Sequence, residues 1–208
     1  MKTEKCPMCS SDGVPFYQES FYECNTCEGL FRPKSKLPSY QKEKERYLKH
    51  QNDPEDEGYQ EFVKPLTDLL IANHTNEQLG LDFGAGNGSA VHKQLSDSGF
   101  NVKQYDPIYY NNPDLLNGKY DYIYACEVIE HFHHPFHEFS RLFRMLNDGG
   151  SLYCKTNIYD KDINFDSWYY KNDFTHVFIY KNNTFNWIAD KFNPADMKIN
   201  ENIIHFRM

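Results

Sequence analysis

Several features are missing from these 208 residues, and each absence removes a class of function. No apolar run approaches the ~20 residues that a bilayer-spanning helix needs, so no membrane role is expected. The beginning of the chain, MKTEKCPMCSS, has neither an apolar h-region nor a small-residue cleavage site. The chain is therefore expected in a reducing cytoplasm, with its six cysteines as thiols or metal ligands rather than disulfides. Positive charge is also scarce. The net charge is −8 and unevenly spread: the first fifty residues hold nine Lys and Arg against seven Asp and Glu, the remainder 13 against 23. A body that acidic does not attract a phosphate backbone at long range, which argues against nucleic acid as a partner. The one basic stretch, RPKSKLPSYQKEKERYLK at 32–49, is diluted by Glu43 and Glu45 and reads as a solvated helix or linker face. Internal repeats, low-complexity tracts, the Gly-Lys-Ser/Thr of a Walker loop and the G-x-G-x-x-G of a dinucleotide fingerprint are all absent.

What is present divides into three parts. Residues 1–33 carry two Cys-x-x-Cys pairs, Cys6 with Cys9 and Cys24 with Cys27, separated by fourteen residues. Each pair offers two thiolates from a tight turn, and VPFYQESFYE between them alternates like a short hairpin. The spacing predicts a zinc-ribbon-like module with one tetrahedral zinc, structural because four cysteines leave no position for water. So short a segment has no core without a metal, which disfavours four idle thiols, and a redox role needs only one pair. Residues 34–57 read as a polar helical linker, with YQKEKERYLKH helical and QNDPEDEG an acidic turn.

Residues 58–208 alternate helix-like and strand-like runs. YQEFVKPLTDLL places Phe62, Leu66, Leu69 and Leu70 on one helical face, with Pro65 in a first turn. LGLDF is a buried strand, SAVHKQLSDSG a helix ending at Gly99, and NVKQYD, YDYIYACEV and SLYCKT are three further strands. PFHEFSRLFRML, ended by NDGG, and NTFNWIADKF are helical, and NIIHFRM is a terminal strand. The fold class is therefore α/β, a Rossmann-like, mainly parallel sheet with helices on both faces. Cys126 and Cys154 fall inside apolar strands as buried thiols.

In such a sheet the ligand crevice lies beyond the carboxyl ends of the strands. The loop LDFGAGNGSAV, residues 81–91, places Gly84, Gly86 and Gly88 in the first strand-to-helix turn, where a backbone must come close to a ligand. Asp82, just before it, repels a pyrophosphate but accepts from an ammonium group, which favours a zwitterionic ligand. Asp106 follows the next strand about twenty residues on, the place for a carboxylate that binds ribose hydroxyls.

Asp82, the alternate glycines and Asp106 together resemble the class I S-adenosylmethionine-dependent methyltransferases. The resemblance continues through YDYIYACEVIEHFHHP and LFRMLNDGGSLYCKT and covers roughly residues 58–208. It implies an enzyme that transfers a methyl group from S-adenosylmethionine to a small-molecule or glycosyl acceptor. It also implies cofactor contacts at Asp82, Gly84, Ala85, Gly86, Gly88, Asp106, Pro107, Cys126 and Glu127. One departure is clear: residues 107–120 are too few for the family's full helix, strand and adenine-contacting acid, which leaves Asp114 or Leu115 to approach adenine.

For the acceptor side, DFTHVFIYKNNTF resembles a stretch that follows the fifth strand in a subgroup including sugar C-methyltransferases, and its histidine is His176. His176 is then a general base, or alternatively a packed histidine beside Phe174 and Val177. Tyr169, Tyr170 and Tyr180 are candidates for the same pocket. Glu127, Glu130 and His131 in EVIEH resemble the set with which some ubiquinone-type O-methyltransferases bind a divalent cation, and they equally suit an ordinary helix start. His133, His134 and His137 read as surface or packing residues. Two other functions stay open: an RNA methyltransferase that uses the zinc module for recognition, and a non-catalytic zinc-ribbon interaction protein with a degenerate fold.

Overall fold

The computed structural model describes residues 3–49 and 52–208. Met1, Lys2, His50 and Gln51, which belong to the first two segments assigned from sequence, lie outside the described residues. No helix among the described residues is long and apolar enough to cross a membrane.

A six-stranded sheet forms the body. Its strands are β5 (Leu79–Phe83), β6 (Asn101–Tyr105), β7 (Tyr120–Cys126), β8 (Leu146–Lys155), β10 (Asp196–Asn200) and β11 (Ile203–Arg207), in the order β10-β11-β8-β7-β5-β6. The four strands from β6 to β8 run parallel, and β11 and β10 close one edge antiparallel. The side-chain period of a strand decides which residues meet which layer. On β7, Tyr122 and Tyr124 face α2 (Glu57–Asn73) and α3 (Ala90–Asp97), where they pack with Val63, Leu66, Leu70, Val91 and Leu95. Ile123 and Ala125 face the other way, towards Phe139 and Leu142 of α4 (Pro135–Arg144) and Phe185 and Ile188 of α5 (Asn182–Phe192). The mainly parallel, doubly covered sheet expected from sequence is the one observed.

Three local readings need correction. Pro65 lies well inside α2, not in its first turn, because Asp56 starts the helix earlier by accepting from the Tyr59 amide at 2.7 Å. The buried face of α2 is Val63, Leu66, Thr67 and Leu70, whereas Phe62 is 45% exposed. NDGG does not end α4 but lies within β8, which starts at Leu146 and takes a register shift against β7. Residues 107–120 form no full strand or helix, only a bridge between Asp106 and Tyr110 and a 3-10 turn at Pro113–Asn117. The sheet therefore ends at β6, a strand with no buried residue and with polar Asn101, Lys103 and Gln104 along that edge.

A second sheet holds the cysteines. β1 (Glu4–Lys5), β2 (Asp12–Tyr17), β3 (Phe21–Cys24) and β4 (Leu30–Phe31) form an antiparallel meander, with β2 and β3 as the expected hairpin. Its fifth strand, β9 (Phe178–Ile179), comes from the far end of the chain and pairs with β4. Gly29 faces this junction: a Cβ there would stand 2.3 Å from the Phe178 ring. Cys6, Cys24, Cys27, Tyr22 and Phe31 consequently share one apolar cluster with Phe139, Phe178 and Tyr180.

Candidate functional site

A cavity of about 670 Å³ opens beyond the carboxyl ends of β5, β6 and β7. β5 ends at Phe83 and the chain turns through Gly84 and Gly86, both in the left-handed region at φ +84° and +61°. Glycine is required at Gly84, where a Cβ would stand 2.6 Å from Val128. Among the described residues a Cβ at Gly86 would meet only the Asn52 side-chain amide, at 3.8 Å, so beside them this glycine leaves free space. The loop is pinned to the end of β6: the Gly84 and Ala85 amides donate to the Tyr105 carbonyl at 2.8 and 3.2 Å. Asp106 then braces it, with Oδ2 accepting from the Gly86 amide at 3.0 Å and Oδ1 from the Ile108 and Tyr109 amides. Ser89 caps α3 by accepting from the His92 amide.

Asp82, Gly84, Ala85, Gly86, Asp106, Pro107, Cys126, Glu127 and His176 all line this cavity. Gly88 does not. A Cβ on Gly88 would stand 2.4 Å from the Asn52 carbonyl oxygen, so its role is to let the 52–54 segment pack on the loop. Asp114 and Leu115 are also outside the lining, and Ile108 and Tyr109 form that part of the wall. None of Tyr169, Tyr170 and Tyr180 lines the cavity. Tyr169 is 69% exposed, Tyr180 donates to the Ile129 carbonyl in the core, and Tyr170 lies behind His176 with ring centroids 4.1 Å apart. His133 and His134 reach the lining, the former bonded to Glu43 at 2.8 Å.

The wall that sequence reasoning missed is α1 (Tyr40–Tyr47), assigned there to a linker. Tyr40, Glu43, Lys44 and Tyr47 share one face of it, at helical spacings of three, four and seven, and line the cavity. The helix is tied down: Tyr109 donates its hydroxyl to the Tyr47 carbonyl, and Arg46 pairs with Asp173 at 2.8 Å. Two tyrosines seven apart among charged residues were the available signal.

Burial sets the electrostatics. Asp82 is buried and pushed up to about 7 by loss of solvent, against the opposing influence of its polar neighbours Ser89 and Tyr124. Its Oδ2 has no hydrogen-bond partner among the described residues. Glu127 is pushed up to about 8 by burial and the neighbouring Glu130, which Lys155 only partly offsets. Its backbone is left-handed at φ +53°, and its amide donates to the Lys155 carbonyl. Glu130, fully buried, rises to about 7 by burial. His176 is lowered to about 4 by burial and by His131, so its imidazole is neutral at physiological pH. Burial likewise lowers His131. Asp173 goes the other way: burial raises it, but the Thr175 hydroxyl and amide and the nearby His176 and Arg46 prevail and hold it at about 2.

The cysteine pairs also converge. The four sulfurs of Cys6, Cys9, Cys24 and Cys27 lie within 4.8 Å of one another, and the Thr26 and Cys27 amides point at Cys24 Sγ from 3.4 and 3.5 Å. Arg32, which follows this sheet, donates to the main-chain carbonyls of Lys171, Asp173 and His176. The cysteine-bearing segment thus grips the segment that carries His176.

Residues 49–195 match the sequence pattern of the methyltransferase domain. The chain belongs to the methyltransferase-domain family. Its body is the class I fold of S-adenosylmethionine-dependent methyltransferases. Among solved structures, an O-methyltransferase family protein from Burkholderia thailandensis superposes with a TM-score of 0.56 at 11% identity, over 84% of this chain and 64% of that one. Human N-acetylserotonin methyltransferase, solved in complex with S-adenosylmethionine, gives 0.52 at 13% identity, over 72% of this methyltransferase chain and 55% of the human one. The chain thus spans less than two thirds of either. No curated protein matches it in sequence.

Proposed function

We propose that this methyltransferase transfers a methyl group from S-adenosylmethionine to a small-molecule or glycosyl acceptor held between the glycine loop and the His176 wall. The observation that carries this is Asp82. A buried carboxylate oxygen without a partner is costly, and this one stands at the edge of a cavity built from a glycine loop. The ammonium of S-adenosylmethionine supplies the missing partner, the open space at Gly86 admits the ligand against the backbone, and Asp106, with three amides already donating to it, retains a lone pair on Oδ2 for a ribose hydroxyl. When bound, the cofactor supplies an electrophilic methyl group on a sulfonium. The chain's own part is positioning: Asp82 orients the amino acid end, Asp106 fixes loop and ribose together, and Cys126 and Glu127 wall the reacting end. Methyl displacement gains most from such alignment. On the acceptor side we place His176, whose Nδ1 donates to the Tyr170 carbonyl at 2.7 Å and leaves a bare Nε2 lone pair.

Cofactor affinity should depend on pH through Asp82. Its carboxyl is neutral below about 7 and cannot pair with an ammonium until it loses its proton. Between pH 5 and 7 the association constant, read by calorimetry, should rise by up to about tenfold per pH unit. Asp82→Asn should flatten that slope. A wild-type protein with pH-independent binding over this range refutes the Asp82 assignment.

We further propose residues 1–33 as a structural zinc module, 34–57 as the connector and 58–208 as the transfer domain. Four convergent sulfurs with amides directed at one of them are the donor set of a closed tetrahedral site. About one zinc per chain should survive dialysis against a mild chelator. Cys24→Ser should lose that zinc and expose residues 3–33 to proteolysis before the main sheet melts. A metal-free protein with an intact amino-terminal sheet, followed by amide exchange, sinks the zinc assignment. The unpaired thiols suit a cytoplasmic setting.

A further inference from the structure

The short connection after β6 leaves one end of the cavity without the residues expected there. Residues 107–120 supply no α-helix beside α4, Asp114 is outside the lining, and the Leu115 carbonyl is taken by the Tyr120 hydroxyl at 2.9 Å. One face of α4 meets the cavity instead. His134, Glu138 and Arg141, at helical spacings of four and three, line it, while Phe139, Leu142 and Phe143 of the same helix are buried in the core. We infer that Glu138, held by Arg141, reads the 6-amino group of the adenine of S-adenosylmethionine.

Packing places this face at the adenine end. Asp106, assigned to the ribose, directly follows Tyr105, and a base joined to that ribose lies beside it. The rings of Phe83, Tyr105 and Phe132 form a continuous set in the lining, with the Phe83 centroid 5.5 Å from Tyr105 and 6.1 Å from Phe132. Ile108 adds an aliphatic wall. A planar base finds apolar surface for its faces here, and a few fixed polar groups then decide its orientation. The Tyr105 hydroxyl records how near those groups are. Burial raises its pKa, Arg141 opposes the rise, and Glu138 and Asp106 add to it, so the α4 pair and the ribose carboxylate flank one ring. The inference rests on the methyl-transfer reading, which brings an adenosyl group to this cavity.

The edge of adenine carries an amino group that donates beside a ring nitrogen that accepts. Glu138 and Arg141 present the converse. Arg141 Nη1 donates to Glu138 Oε2 at 2.6 Å, which fixes the carboxylate and leaves Oε1 to accept from the amino group. The guanidinium keeps further donors for the ring nitrogen. Among the described residues the other charged neighbour of Oε1 is His137 Nδ1 at 3.5 Å, on a side chain that is 67% exposed and outside the lining. The Glu138 and Arg141 side chains are themselves only 21% and 25% exposed, so their bonds to a base are partly shielded from water. A carbonyl at the same position, as on hypoxanthine, would set oxygen against the carboxylate. Glu138 is thus the cofactor-binding carboxylate that residues 107–120 do not provide, and Arg141 is the residue that positions it.

The test compares, by calorimetry on the full chain, S-adenosylhomocysteine with its purine analogue, in which hydrogen replaces the 6-amino group. Wild-type protein should bind the analogue at least about tenfold more weakly, the worth of one hydrogen bond to a charged acceptor. Glu138→Ala should bind the two about equally, its loss falling on S-adenosylhomocysteine and its affinity for the analogue staying nearly unchanged. Glu138→Gln keeps the shape and an amide oxygen that accepts without charge, so its preference should lie between those of wild type and Glu138→Ala. The ratio of two affinities within one protein removes any general damage, because a purely structural loss weakens both ligands together. A full preference retained in Glu138→Ala and Glu138→Gln overturns the assignment. So does a wild-type protein that binds both ligands equally well, which leaves the methyl-transfer reading standing. A wild-type protein that binds neither overturns both.

Discussion

Gly86→Val should abolish S-adenosylhomocysteine binding while the protein stays folded. Two effects act at this position and they can be separated. The first is backbone strain, since φ is +61° and a β-branched residue in the left-handed region costs roughly 1–2 kcal/mol. The second is occupation: among the described residues a Cβ at Gly86 meets nothing closer than the Asn52 side-chain amide at 3.8 Å, so two methyl groups enter the space assigned to the ligand. Gly99 supplies the control. It too is left-handed, at φ +82°, and a Cβ there meets nothing within 4 Å. Gly99→Val should therefore show the strain, as a lower melting temperature of similar size, and bind normally. If the two variants bind alike in calorimetry, the loop does not hold the cofactor.

The legible parts of this fold were those whose local pattern and tertiary role agree. LGLDF, the glycine turn and the helix capped by Ser89 are readable because apolar run, left-handed glycines and cap all mark the same boundary. The two Cys-x-x-Cys pairs, and His176 after β8, likewise fell where chain order placed them. What was not legible depends on a partner distant in sequence. β9 is two residues long and exists as a strand because β4 borders it, and nothing in Phe178 and Ile179 alone says so. α1 has no buried residue, so its periodicity is weak, yet a face with Tyr40 and Tyr47 walls the cavity. The Phe62 error has the same origin. Phenylalanine satisfies a helical apolar pattern, but here its ring lies over the Lys155 ammonium, 3.5 Å from Nζ to the ring centroid, and Val63 takes the core position. Gly88 belonged to the spacing of the motif, and only the Asn52 carbonyl beside it shows that packing accounts for it.

His176→Ala should lower turnover by about 10²-fold or more once an acceptor is known, with S-adenosylhomocysteine affinity unchanged. The side chain lines the cavity on the segment proposed to face the acceptor, and its fixed Nδ1 leaves Nε2 as the atom to meet that acceptor. The competing role, a packed histidine, predicts a different result. His176 is wedged between the His131 and Tyr170 rings, at 4.9 and 4.1 Å, so a purely structural loss would lower the melting temperature and disturb both ligands together. Arg32 separates the two roles further. It holds the His176 carbonyl, not the ring, together with the carbonyls of Lys171 and Asp173. Arg32→Lys, which keeps the charge but loses the planar fork, should loosen the segment and raise the acceptor KM more than it lowers kcat. His176→Ala should do the reverse. Wild-type turnover in His176→Ala removes this residue from the chemistry altogether.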